Sequence, residues 1–402
     1  MRDLNLFIYR SILKRDKSLF DIDMKLNECL LLESIKDKSV LVIGGAGSIG
    51  ASFIKALLPF KPAALIVVDI NENALAELTR DLRSTKDLYM PELYITYPMD
   101  YSSPVFEKMF RSYNGFDIVG NFSAHKHVRS EKDIYSIEVL LQNNVLHAKK
   151  LLELLCKYPP RIYFCVSTDK AANPVNIMGA SKRIMEDLIF SYSDIFPVKT
   201  ARFANVAFSN GSLPASFLER IKKLQPISAP SDVKRYFVSP EESGQICLMA
   251  AVAGNNREIF FPKLERAQLM TFDTIARELL LSEGYEIIEC ESEAEAINMA
   301  EKLRFGSKQY PVYFSKSDTS GEKAYEEFYT ADEIVDEHRF SSLGVITDKD
   351  KPNQEKLKRL FENLDMAFEK SNSNKEVIVR ILRDYLVNFN HIETGKNLDD
   401  KL

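Results

Sequence analysis

Short β-branched runs alternate with apolar residues at helical spacing through the first half of the chain. Ser39–Ile43 (SVLVI) leads into the glycine-rich GGAGSIG and then ASFIKALL, an order that predicts strand, tight turn and helix. A second run, ALIVV at 64–68, ends at Asp69, and ITYPMD ends at Asp100. A further strand is expected in FDIVGNFSAHKHV from Phe116, before the helical LLQNNVLHAKKLLELL. Strands separated by helices predict an α/β fold with a parallel, doubly wound sheet.

The ends of the chain read differently. MRDLNLFIYRSILKRDKS has no secretory apolar core and predicts an amphipathic helical extension, with Arg10, Lys14, Arg15 and Lys17 on a solvated face. ECESEAEAINMAEKLRF predicts an acidic helix facing solvent. After about residue 348 a polar linker and two amphipathic helices are expected, with Leu357, Leu360, Phe361 and Leu364 on one stripe that packs on the body or on another subunit. The final ETGKNLDDKL is expected to be disordered.

At 402 residues and 45% hydrophobic content, the chain is long enough for one large α/β domain and a smaller one. A net charge of −5 gives no basic footprint, which argues against a nucleic-acid partner. The 5 cysteines (Cys29, Cys156, Cys165, Cys247, Cys290) lack paired spacing and read as buried thiols in a reducing compartment, none of them catalytic. Apolar runs such as Ala63 to Val68 fall far short of the roughly 18 residues of a membrane span, so no span and a cytoplasmic location are expected. His125 and His127 stand two apart with no further ligands to complete a shell, so no metal is expected.

Three groups of residues carry candidate chemistry. Gly44, Gly47 and Gly50, with Ser48 and Ile49 between them, open the first helix, where missing Cβ atoms let a diphosphate approach the backbone and the helix N-terminus. Asp69 can accept hydrogen bonds from both ribose hydroxyls of an adenosine and repel a 2′-phosphate, which favours NAD over NADP; Arg80 and Arg83 on the next helix are read as facing solvent rather than as softening that preference. The third group, STDKAANPVNIMGASK at 167–182, sets Thr168, Asp169 and Lys170 a fixed distance before a helix bearing Lys182.

These motifs together resemble the extended short-chain dehydrogenases, and within them the UDP-N-acetylglucosamine 4,6-dehydratases of polysaccharide biosynthesis, over about residues 38–328. The resemblance implies a Rossmann-type doubly wound sheet with a smaller C-terminal α/β substrate domain and helical extensions at both ends. It divides the chain into a helical extension (1–37), an NAD-binding domain (38–205, with 236–254 returning to it), a substrate-binding part (206–235 and 255–347) and a helical extension (348–402). A homo-oligomer is expected.

The resemblance also implies roles. Asp100 contacts the adenine, Ser123 and Ala124 line the nicotinamide ribose, Lys126 lies near the substrate, and Asn144 braces a neighbouring strand. Thr168 binds the C4 oxygen, Asp169 protonates the C6 hydroxyl, Lys170 removes the C5 proton, and Lys182 binds the nicotinamide ribose. Two pKa values moved toward neutrality are then required, and burial is expected to leave Lys170 partly neutral. Asn205, Ser209, Gly211, Ser212 and Arg235 match substrate-cleft positions, and the SDTSGEKAYEEF segment retains Gly321, Glu322, Lys323, Glu326 and Glu327 of a family signature. Thr319 and Ser320 replace an arginine and proline of that signature, so the arginine's phosphate contact is either lost or supplied by Lys316, Lys323 or Arg235.

Met178 stands where the family's tyrosine is usual, and a thioether transfers no proton. Methionine there marks the dehydratase branch that retains the C5 configuration. The activity implied is therefore retaining dehydration of UDP-N-acetylglucosamine for bacterial glycan or nonulosonic acid biosynthesis. A GDP-linked substrate, an inverting dehydratase, an epimerase and a non-catalytic NAD-binding regulator are the alternatives.

Overall fold

Nine strands form one sheet, whose central strands are apolar on both faces and covered on both, whereas the edge strands Leu93–Pro98 and Ile334–Asp336 are only partly buried. The order across it is Ile334–Asp336, Leu343–Thr347, Ile259–Pro262, Val198–Ala201, Ile162–Val166, Ile118–Asn121, Ser39–Ile43, Ala64–Asp69, Leu93–Pro98. Every neighbouring pair from Leu93–Pro98 to Ile259–Pro262 is parallel, and the last two strands add antiparallel. The chain reverses direction across the sheet between Ser39–Ile43 and Ile118–Asn121, so the crevice at their C-terminal ends is where such sheets bind ligands. This computed structural model describes residues 3–127, 131–317, 321, 323, 325–347, 349–369 and 374–393.

A second parallel sheet, Glu286–Glu289, Gln309–Ser315 and Ile227–Pro230, is packed by the helices Leu213–Lys222 and Phe272–Ser282 around its own apolar cluster. Ile259–Pro262, Ile334–Asp336 and Leu343–Thr347, expected in the substrate-binding part, extend the large sheet instead. Their Phe260, Phe261, Val345 and Ile346 are buried against its main core. The acidic helix expected from residue 289 covers only Glu293–Ala300, capped by Ser292, because Glu286–Glu289 is drawn into the small sheet.

The N-terminal extension is not one surface helix. A turn of α-helix at Leu4–Phe7 runs into a π-helical Ile8–Leu13, followed by Asp21–Leu26 and Glu28–Ile35. Phe7, Ile8, Ile12 and Leu13 are buried in the small domain's cluster, whereas Phe20, Leu31 and Ile35 belong to the large core. Arg15, expected on a solvated face, instead makes a bidentate pair with the buried Glu242 at 2.7 Å to each oxygen; Arg10, Lys14 and Lys17 are exposed. Glu242 also completes the capping box of the Pro240–Ala253 helix with Ser239, so this pair fastens the extension to a helix start. All five cysteines are free, and Cys29 is exposed rather than buried because it lies on the outer side of Glu28–Ile35.

The C-terminal helices Gln354–Glu369 and Lys375–Tyr385 pack on the body of the same chain. Leu357, Leu360, Phe361 and Leu364 are buried in the large core, and Tyr385 donates to Asp187 at 3.2 Å. Most of the expected disordered tail, residues 394–402, lies outside the described residues.

Candidate active site

The turn after the first strand is shaped by glycine. Gly44 has φ +71, and a Cβ on it would stand 2.6 Å from the backbone nitrogen of Ser123. A Cβ on Gly50 would run into the Gly44 carbonyl. The Ser48–Leu57 helix starts at Gly47 with no side-chain cap, so no side chain occupies the N–H groups of its first turn. Asp69 ends the adjacent strand, and its Oδ2 accepts from Ala46 N at 3.1 Å. Ile49 is half-buried within that helix.

Other expected cofactor residues have local structural partners. The Ser48 hydroxyl accepts from Asn210 N at 2.8 Å and so ties the turn to the 209–212 loop. Ser123 Oγ donates to Asn143 at 3.2 Å, Ala124 is half-buried beside it, and exposed Asp100 accepts from Ser102 N at 2.7 Å. Asn144 grips the segment after Ile118–Asn121 through both backbone atoms of His125, at 2.8 and 2.9 Å, and also binds Ser181.

At the C-terminal end of Ile162–Val166 the chain makes a 3-10 turn over Asp169–Ala171, with Thr168 as its N-cap. This turn brings three candidate groups together. Asp169 Oδ1 accepts from Thr168 Oγ1 at 2.8 Å and from Lys170 Nζ at 3.0 Å, and Asp169 is buried. The helix Ile177–Phe190, capped by Asn176, carries Met178 and Lys182, both buried. Lys182 Nζ donates to Val166 O at 3.1 Å, and burial lowers its pKa.

Glu326 completes the cluster from a distant segment. Its Oε1 lies 3.7 Å from Lys170 and 3.8 Å from Arg235, and Lys323 stands 3.9 Å from Oε2. Burial acts against a charge on Lys170, yet Asp169 and Glu326 outweigh it and raise the lysine's pKa above the ordinary value. The expectation that burial leaves Lys170 partly neutral is therefore corrected: two carboxylates hold the ammonium. Burial raises the pKa of Glu326 itself.

The substrate-side residues separate into two groups. Buried Arg235 donates to the Lys323 carbonyl at 2.9 Å, and half-buried Lys323 bonds the Asn173 carbonyl, so both stand near the Asp169–Ala171 turn. Asn205 is half-buried, Ser209 is buried, and Ser212 caps Leu213–Lys222. Gly211 adopts φ +75 with His127 close beside it, and Lys126 is exposed. Thr319, Ser320 and Glu322 lie outside the described residues.

Three features escaped the sequence reading. Glu131 accepts from Met178 N at 3.0 Å and meets His391 at 3.4 Å. Ile392 bridges Val175 O at 2.9 Å and Gly321 N at 3.0 Å, so the C-terminal segment clamps the loop that follows the Asp169–Ala171 turn. Beneath that loop, Arg202 is fully buried between Glu186 and Glu333, and Ser167 donates to Glu186 at 2.6 Å. Glu326 falls within a segment that signalled itself by its match to GEKxxEE, and Arg202 opens the R-x-x-N-V run that contains Asn205; Glu131 and His391 carry no local spacing signal.

A family model described as polysaccharide biosynthesis protein matches residues 40–344. A Methanocaldococcus jannaschii protein described as an uncharacterized membrane protein is 29% identical over 87% of this chain and 96% of its own. A Campylobacter jejuni UDP-N-acetylglucosamine 4,6-dehydratase (inverting) is 25% identical over 78% of this chain and 89% of its own. Relatives also include Rickettsia UDP-glucose 4-epimerases, and the chain spans 48% and 50% of the lengths of two bacterial polysaccharide biosynthesis relatives. The crystal structure of Pen from Bacillus thuringiensis shares the fold, with TM-score 0.63 and 21% identity over 83% of this chain and 99% of its own. Among the described residues no helix is long and apolar enough to cross a membrane.

Proposed function

Since this chain belongs to the polysaccharide biosynthesis protein family, matched over most of its length, we propose that it is an NAD-dependent nucleotide-sugar 4,6-dehydratase. Its substrate in this reading is UDP-N-acetylglucosamine, its product the UDP-linked 4-keto-6-deoxy sugar, and its C5 configuration is retained. The observation that carries the reading is the contact of Thr168, Asp169 and Lys170 at one strand end, whose last residue, Val166, accepts from buried Lys182 through its carbonyl.

The glycine turn and Asp69 are suited to a dinucleotide: a backbone without Cβ atoms, helix N–H groups without a side-chain cap, and a carboxylate at the ribose position. A nicotinamide dinucleotide held by the glycine turn and Asp69 would supply hydride exchange with C4 and then C6 of the sugar. Oxidation at C4 makes the C5 proton acidic. Lys170 then removes that proton, and Asp169, protonated by the C4 hydroxyl proton relayed through the Thr168 hydroxyl that donates to it, is placed to protonate the departing C6 hydroxyl. Thr168 orients the C4 oxygen, and Arg235 and Lys323 are the cations nearest the cluster that can meet an anionic diphosphate.

The decisive experiment incubates purified protein with UDP-N-acetylglucosamine and separately with its GDP counterpart, and follows the product by NMR. A 6-methyl, 4-keto product from the UDP sugar is expected, without added cofactor, because NAD(H) should co-purify; absorbance and mass of the denatured protein check this. A 4-epimer with no methyl signal makes the protein an epimerase, a product from the GDP sugar alone reassigns the base, and bound NADP overturns the role of Asp69.

Met178 supports retention, since a buried thioether whose backbone N–H is held by Glu131 offers no phenolic group near C4. In D₂O the fresh product should carry deuterium at C5 with the D-xylo configuration. Coupling constants that report L-arabino before slow epimerisation would remove the retaining assignment and leave the dehydration standing.

A further inference from the structure

One carboxylate at this site has no part in the chemistry described above. Glu326 is buried, with a side chain 4% exposed, and among the described residues its Oε2 has no hydrogen-bond partner. Buried polar atoms are nearly always bonded, so an open oxygen on the carboxylate whose other oxygen, Oε1, faces Lys170 points to a group that changes its protonation during the reaction. Lys170 poses the complementary problem. A base for C5 must be a free amine, and here Asp169 at 3.0 Å and Glu326 at 3.7 Å hold it as an ammonium.

We propose that Glu326 acts through Lys170, accepting the lysine's proton as substrate fills the site, so that Lys170 meets the C5 proton as a free amine. The inference rests on the dehydratase reading. In the step an N–H bond of Lys170 breaks and an O–H bond forms on Glu326; nothing else is consumed. Lys170 then takes the proton from C5 and later returns one there, and Glu326 gives its proton back when product leaves.

The physical balance favours this transfer. For both groups burial is the largest influence, and it favours the neutral form of each. Their mutual attraction keeps them charged while the lysine is still 17% exposed to water. Substrate that excludes this water raises the cost of two buried charges, and a neutral pair becomes the better arrangement. The other charges facing the pair act consistently. Arg235 and Lys323 favour the Glu326 anion, and a diphosphate drawing on those cations weakens that support; Asp169 pushes Glu326 toward its protonated form.

The test is the pH dependence of kcat. In the wild-type enzyme it should be flat across about pH 6–8, because the proton moves within a pair whose total protonation does not change. In Glu326→Gln the lysine must lose its proton to solvent, so kcat at neutral pH should fall at least about tenfold, with KM little altered, and climb by about tenfold per pH unit. Glu326→Asp should restore the flat profile at reduced kcat. If Glu326 served only as a fixed negative charge, its removal would lower the lysine's pKa and extend activity to lower pH. That outcome, or an unchanged profile, overturns the inference. Cofactor content and Tm verify that the variants fold; should Glu326→Gln fail to fold, a rising profile in Glu326→Asp overturns it equally. A wild-type enzyme that makes no 4-keto, 6-deoxy product sinks the dehydratase reading and the need for a neutral Lys170 with it, whereas failure confined to the Glu326 variants leaves that reading intact.

Discussion

Lys170→Ala should abolish dehydration, with kcat lowered by about a hundredfold or more, the usual scale for a positioned acid or base, while the dinucleotide content of the purified protein stays the same. The separation of the two effects is what the geometry leads one to expect. Lys170 pairs with Asp169 and Glu326, and among the described residues none of its polar contacts involves Gly44–Gly50 or Asp69. Asp169→Asn should lose turnover on a similar scale. It also removes one of the two carboxylates that raise the pKa of Lys170, so residual turnover in this variant should extend to lower pH. Single-turnover kinetics and mass analysis of the bound dinucleotide check both variants. Loss of under about tenfold in Lys170→Ala, roughly 1.4 kcal/mol of barrier, would remove the lysine from the role of base.

What the sequence made legible was what lies close together along the chain. The strand, glycine turn and helix at 39–57, the acidic residue ending the second strand, and the catalytic turn 168–170 ahead of Lys182 are each one local unit, so spacing alone locates them. The electrostatic state of Lys170 was not legible, because Glu326 arrives from 156 positions away and reverses the effect of burial. The C-terminal segment hid for the same reason: His391 and Ile392 reach Glu131 and Val175 only after the helices 354–369 and 375–385 have packed on the body. The misplaced strands have a different cause. An antiparallel pair at 334–336 and 343–347 reads in sequence like any short β-branched run, and only the free edge beside Ile259–Pro262 decides that it joins the large sheet. Arg15 misled because a basic residue in a charged N-terminal stretch looks solvated until Glu242 is placed opposite it.

Arg202→Met should cost about 3–5 kcal/mol of stability at neutral pH, the range found when one partner of a buried ion pair is removed and the other is left uncompensated. Arg202 is fully buried and bonds Glu186 through Nε at 2.8 Å and Nη2 at 2.6 Å, Glu333 through Nη1 at 2.7 Å, and the Phe328 carbonyl at 3.0 Å. Its loss leaves Glu186, itself fully buried, with Arg183 at 3.6 Å and the Ser167 hydroxyl as its remaining partners. Lys349 and Arg183 continue to hold Glu333. The sign with pH follows from the carboxylates, both of whose pKa values are lowered in the fold despite burial, chiefly by Arg202. Stability from such groups is complete above the ordinary glutamate range and drains away as pH falls below it through their folded values. Wild type and Arg202→Met should therefore differ most at neutral pH and converge in acid, which denaturant titrations at several pH values would measure. Because Ser167 precedes Thr168 and Glu186 shares a helix with Lys182, the variant should also loosen the catalytic turn, lowering kcat at temperatures where it remains folded. A variant as stable as wild type at neutral pH would show that the network is a passive filling of the core, with no part in holding the site.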